Sequence, residues 1–114
     1  MRALLLVVAL GCSAKAVDTP SLVDGSLPPA YGCDARGGGL CVEYTGSHEA
    51  SLAACVAVGV SVGASTAFGP GLRCPSLGAL TTCVLSDSRR TYYAPMSHFL
   101  AESDCRRRGG VLAP

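Results

Sequence analysis

The sequence predicts a small α+β domain stapled by disulfides, with about three antiparallel strands, two short helices and an internal β-α repeat. Three observations carry that expectation. Seven cysteines fall within 114 residues. An export-type leader leaves an even number of them to pair. Strand-like and helix-like patterns then alternate twice along the remaining chain. Without a leader and a linker roughly 80 residues remain, a size that buries only about 60–65% of its unfolded surface. So thin a core usually needs covalent staples.

The leader comes first. Met1-Arg2 is a minimal positive start, and Ala3 to Leu10 is an apolar run of eight residues. That length lies within the ~7–15 residues of a signal segment and far below the ~20 of a membrane span. The run ends Ala9-Leu10-Gly11-Cys12, which resembles the lipobox of bacterial lipoproteins. The resemblance implies a signal segment over 1–11, cleavage before Cys12, a diacylglycerol on the Cys12 thiol and acylation of the freed amine. The membrane is then a partner through that anchor, since more than one acyl chain gives stable attachment. Ser13 resembles the residue that sends lipoproteins to an outer membrane. A competing site, Ala14-Lys15-Ala16, would release a soluble protein beginning at Val17. Either cut removes Cys12 from the pairing count and leaves Cys33, Cys41, Cys55, Cys74, Cys83 and Cys105 in an oxidising compartment.

Residues 12–31 form a tether, with Pro20, Pro28 and Pro29 among Ser, Asp and Gly and no sustained apolar period. Some twenty flexible residues reach roughly 25 Å. The stapled domain follows over 32–114.

Two related halves follow. The first runs Gly32-Cys33, Leu40-Cys41-Val42-Glu43-Tyr44, Ser47-His48, Cys55 and Gly59; the second runs Arg73-Cys74, Thr82-Cys83-Val84-Leu85, Tyr92-Tyr93, Ser97-His98, Cys105 and Gly109. This register sets Cys33 against Cys74 and Cys41 against Cys83. Leu40, Val42 and Tyr44 alternate with Cys41 and Glu43, as in a half-buried strand. Leu80 to Leu85 and Thr91 to Ala94, turned at Ser86-Asp87-Ser88, make a hairpin. Ser47 caps a helix over roughly 48–58 with Leu52, Cys55, Val56 and Gly59 on one face. Ser97 caps another over roughly 98–108, where Arg106, Arg107 and Arg108 suit the helix dipole and Gly109-Gly110 stops the helix. With three cysteines in each half, full pairing requires at least one bridge between halves. Fifteen connectivities remain open. The residues Thr82-Cys83-Val84-Leu85, Thr91-Tyr92-Tyr93 and Cys105 with Gly109-Gly110 resemble a pattern in small, uncharacterised, cysteine-rich bacterial lipoproteins. That resemblance implies a compartment and no activity.

Chemistry-bearing motifs are few. Gly59-Val60-Ser61-Val62-Gly63 spells a nucleophile elbow, which works only inside a large parallel sheet that this chain cannot build. Structural zinc sites use close Cys pairs, and the shortest gap here is seven residues. No metal and no cofactor is expected. Ala50 to Leu72 is uncharged for 23 residues, but its Ala, Gly, Ser and Thr content favours a helix and a following strand over a membrane span. The net charge is +1, and zero once Arg2 leaves with the leader, so nucleic acid is not an expected partner. The expectation is a lipid-anchored envelope protein with a non-catalytic binding or structural role toward a protein or glycan. A secreted soluble effector or inhibitor is the alternative. No catalytic residue is expected.

Overall fold

The computed structural model of the protein describes residues 29–113. The signal segment 1–11, Cys12, the Ala14-Lys15-Ala16 site and the tether as far as residue 28 lie outside the described residues. One order of elements occurs twice. Tyr31–Ala35 (β1) and Leu40–Tyr44 (β2) form a hairpin, followed by His48–Val62 (α1) and Ala67–Pro70 (β3). Ala79–Val84 (β4) and Ser88–Tyr93 (β5) form the second hairpin, followed by His98–Arg107 (α2) and Val111–Leu112 (β6). All six strands join one antiparallel sheet in the order β3-β1-β2-β5-β4-β6. The two hairpins meet at β2 and β5, and each unit's last strand closes its own outer edge.

The expected count of about three strands is therefore too low, for local reasons. β1 begins at Tyr31, in a stretch that reads as tether, and its Gly32-Cys33-Asp34 shows no alternation. β3 ends in Gly69-Pro70, poor strand formers that an edge position tolerates. β6 has two residues, too few to show a period.

Both helices begin where their serines predict. Ser47 Oγ accepts from the Ala50 amide at 3.2 Å, and Ser97 Oγ accepts from the Leu100 amide at 3.1 Å. α1 runs past the expected end near residue 58 to Val62, where Gly63 caps it with a positive φ of 66°. Its inner face also differs from the expected one. Ser51, Cys55 and Val58 are buried, whereas Leu52 and Val56 are exposed. α1 is apolar on every side, so periodicity could not select the face. The buried position of Cys55 does.

Helices and core occupy one side of the sheet. Cys33, Ala35, Leu40, Val42, Tyr44, Cys83 and Tyr92 meet Cys55 and Val58 of α1 and Ala101 and Cys105 of α2. The opposite side is covered by the 71–78 connection. There Cys41 bonds Cys74, Glu43 accepts from the Cys74 amide at 2.6 Å, and the Tyr93 hydroxyl donates to the Pro75 carbonyl. Every residue of β2 is consequently buried, where alternation predicted a half-buried strand.

Close approach fixes two glycines. A Cβ at Gly32 would run into the Leu72 carbonyl as the connection crosses β1. A Cβ at Gly110 would meet the Cys83 sulfur, so this residue does more than follow the helix stop. Gly110→Ala should cost about 1–3 kcal/mol in urea unfolding, the usual range for overpacking. Gly46→Ala, with open space around its Cβ, serves as the control and should unfold close to the parent.

Candidate functional site

Six cysteines pair as Cys33–Cys55, Cys41–Cys74 and Cys83–Cys105, with Cα separations of 5.5, 5.8 and 5.6 Å. These separations fall in the normal range for a disulfide. The first and third close loops of equal sequence separation, 22 residues, and each ties the first strand of a hairpin to its following helix. Cys33 thus corresponds to Cys83, and the sequence register that set Cys33 against Cys74 is corrected. The mismatch arose because spacing alone cannot tell a strand cysteine from one in a connection. Cys41 and Cys74 have no counterpart pair. They pin the connection between units to the sheet, which is the bridge that an odd count per half requires. Disulfides form and persist in oxidising compartments such as the periplasm or cell exterior.

The two buried bridges define equivalent positions across the units. Val42 lies opposite Cys33 and Arg90 lies opposite Cys83. Two residues further from the turn, Tyr44 pairs with Tyr31 and Tyr92 pairs with Thr81. On the helices, Ala54 precedes Cys55 as Asp104 precedes Cys105. The second unit therefore carries Arg90, Tyr92 and Asp104 where the first carries Val42, Tyr44 and Ala54.

Asp104 organises its half. One carboxylate oxygen, Oδ2, accepts from the Tyr92 hydroxyl at 2.7 Å and from Arg90 Nε at 3.2 Å. The other, Oδ1, accepts from Arg107 Nη2 at 2.9 Å and from Arg108 Nε at 3.0 Å. Burial raises the Asp104 pKa, but the Tyr92 hydrogen bond and the Arg90 and Arg108 charges outweigh it, and the net direction is down. Tyr92 is pushed up to about 12, first by burial and then by its bond to Asp104. One carboxylate thus serves three guanidiniums, leaving local positive charge in excess.

In the first unit the corresponding acceptor is missing. Among the described residues the Tyr44 hydroxyl is buried without a hydrogen-bond partner. Burial raises its pKa, with Arg90 and Arg108 pulling it down and Asp87 pushing it up. These charges lie around a groove that runs between α1 and α2 over β2 and β5. The groove holds two adjoining depressions of about 510 and 430 Å³, which share Ser61, Arg90 and Arg108. The larger is walled by Tyr44, Ala54, Ala57, Val58 and Leu85. Volumes of this size are typical of small-ligand sites.

No protein-family model, curated protein or solved structure matches this chain. The site is open to reading only through its own chemistry.

The motifs singled out in the sequence are dispersed. Ser61 of the elbow-like run lies in the last turn of α1, whereas His48 opens that helix, roughly 20 Å away at 1.5 Å per residue. His48 packs edge-on against Tyr31 and Phe68, with ring centroids 5.3 and 5.6 Å apart. His98 opens α2. All six sulfurs of the stapled domain are in disulfides, so none is a thiolate ligand. Among the described residues no helix is long and apolar enough to cross a membrane; the uncharged stretch 50–72 divides into most of α1, a turn and β3. Arg107 and Arg108, expected to complement the helix dipole, also hold Asp104. Arg90 went unnoticed in the sequence, since a strand arginine next to Arg89 reads as exposed.

Proposed function

We propose that this chain is an exported, lipid-anchored envelope protein whose stapled domain is a non-catalytic binding module working through the interhelical groove. The observation that carries this reading is the disulfide set. Four of its sulfurs, from Cys33, Cys55, Cys83 and Cys105, belong to residues almost wholly buried beneath the two helices. A domain built this way depends on oxidation, and oxidation depends on export. Export in turn agrees with the short apolar leader. The lipobox-like Ala9-Leu10-Gly11-Cys12 adds the anchor, and Ser13 directs it to an outer membrane. The tether then lets the domain stand off the lipid surface by roughly 25 Å.

The groove supports binding over catalysis. Its polar groups are arginines, serines, a tyrosine and the carboxylates of Asp87 and Asp104, with Asp104 committed to ion pairs. General acid–base or nucleophilic chemistry needs a base aligned on a proton or nucleophile, and the histidines belong to the starts of the helices.

Mass spectrometry of the mature N terminus tests the anchor. The expected species starts at Cys12 and carries three acyl chains, and Cys12→Ser should abolish that modification and release the protein from membranes. An unmodified start at Val17 would replace the anchored reading with that of a secreted effector or inhibitor.

A further inference from the structure

We infer that the larger depression of the groove is a site for an organic anion, a carboxylate or phosphate monoester on a short apolar body. The bound oxygen would do for the first unit what Asp104 does for the second. This rests on reading the domain as a binding module and names the class of ligand that module takes.

The argument begins with the comparison of the units. Tyr92 and Tyr44 occupy equivalent places on the sheet, and each is buried. Tyr92 donates to Asp104. The residue equivalent to Asp104 is Ala54, which has no acceptor side chain, and the Tyr44 hydroxyl is left unpartnered. An unmet buried hydroxyl is a costly feature that native structures usually explain. Both Tyr44 and Ala54 line the larger depression, so the space left by the shorter side chain opens where an acceptor is wanted.

The charges around that space favour an anion. Arg90 and Arg108 line the same depression, and each gives only its Nε to Asp104. A guanidinium has five N–H donors. Asp104 engages only the Nε of each, and Arg–carboxylate and Arg–phosphate pairs are the strong bidentate ones. Asp87 also lines the depression. Asp87 and Asp104 together set two negative charges against Arg90, Arg107 and Arg108, which leaves one positive charge in excess, the opposite of what a cation would need. The remaining wall is aliphatic, from Ala54, Ala57, Val58 and Leu85, which suits an apolar body attached to the charged head. Bare inorganic phosphate would leave that wall unused.

The comparison supplies its own test. Ala54→Asp places a carboxylate of this chain where the ligand's would sit. Calorimetric titration of the oxidised full-length chain carrying Cys12→Ser, which leaves every disulfide partner in place, uses octanoate and octyl phosphate as probes. Octyl glucoside is the uncharged chain, and inorganic phosphate is the head alone. The expected result is saturable one-to-one binding of both anionic probes, with octyl glucoside and phosphate at least about tenfold weaker, as loss of a charge-assisted contact or of apolar contact predicts. Arg108→Gln and Tyr44→Phe should each weaken octanoate about tenfold. Ala54→Asp should abolish binding while leaving the melting temperature unchanged or higher, which separates occupation of the site from misfolding. Ala54→Asp binding octanoate as the parent does, or octyl glucoside binding as tightly as octanoate, overturns the inference. So does phosphate matching octyl phosphate. Mass spectrometry at Cys12 is unaffected by any of these outcomes, so the failure of the ligand class and that of the anchored reading remain distinct.

Discussion

Strong reductant should unfold the stapled domain at neutral pH, with loss of both near-UV and far-UV circular dichroism. Loops of 22, 33 and 22 residues correspond to about 3–4 kcal/mol each in the chain-entropy account. A domain of this length has a net stability of about 5–10 kcal/mol, so the three together equal or exceed the whole. The core gives little in reserve. Its large fully buried side chains are Tyr92, Leu40 and Val42, and the others are cysteines and Ser51. The bridges should not be equivalent in consequence. Paired Cys→Ser changes at Cys33 and Cys55, or at Cys83 and Cys105, remove contacts beneath a helix and should lower stability by similar amounts, because the two bridges occupy matching places. Paired changes at Cys41 and Cys74 free the connection over the far side of the sheet and should raise amide exchange in β2 first. Native circular dichroism retained after full reduction would contradict this account.

Asp104→Ala should be the most damaging single substitution away from the cysteines, at about 3–5 kcal/mol in denaturant unfolding. The Arg90 side chain is only 9% exposed, and removing its partner leaves a nearly buried charge without compensation. The Tyr92 hydroxyl loses its acceptor at the same time. Arg107 is 68% exposed, and Arg107→Ala should cost less than about 1 kcal/mol, as solvent-exposed pairs do. The same carboxylate makes stability depend on acid. Its folded pKa lies below the ordinary value, so the ion pair contributes in full above about pH 5 and is lost as pH falls through the folded value. Asp34 acts in the same direction, chiefly through its hydrogen bonds from Arg36. The pH–stability curve of the parent should therefore fall steeply in acid, and Asp104→Asn should flatten that limb. An Asp104→Asn curve superimposable on the parent's would show that the cluster does not supply the acid sensitivity.

How much of this was readable beforehand differs by element. Ser47 and Ser97 announced their helices because a cap is a local bond, made within three residues. The β4–β5 hairpin was legible because its turn residues are also a local signal, although Ser88, read as part of the turn, opens β5. The face of α1 was not, since a helix apolar on all sides has no preferred inward direction until a disulfide and a sheet choose one. β3 and β6 were hidden because an edge strand takes its pairing from a neighbour rather than from its own composition. The groove was out of reach for a stronger reason. It depends on Arg90, Tyr44, Ala54 and Arg108 coming from four separate places in the chain, and Ala54 matters for the side chain it lacks.

Cysteine count and the alternation of strand-like and helix-like patterns by themselves determined the kind of molecule: a small α+β domain that relies on oxidised sulfur because so short a chain can enclose little apolar surface. Only the tertiary structure decided which sulfurs meet, that two ββαβ units share one sheet, and that one unit carries an ion cluster where the other leaves a gap. Pairing and register depend on contacts between residues far apart in sequence, and spacing along a chain does not encode them.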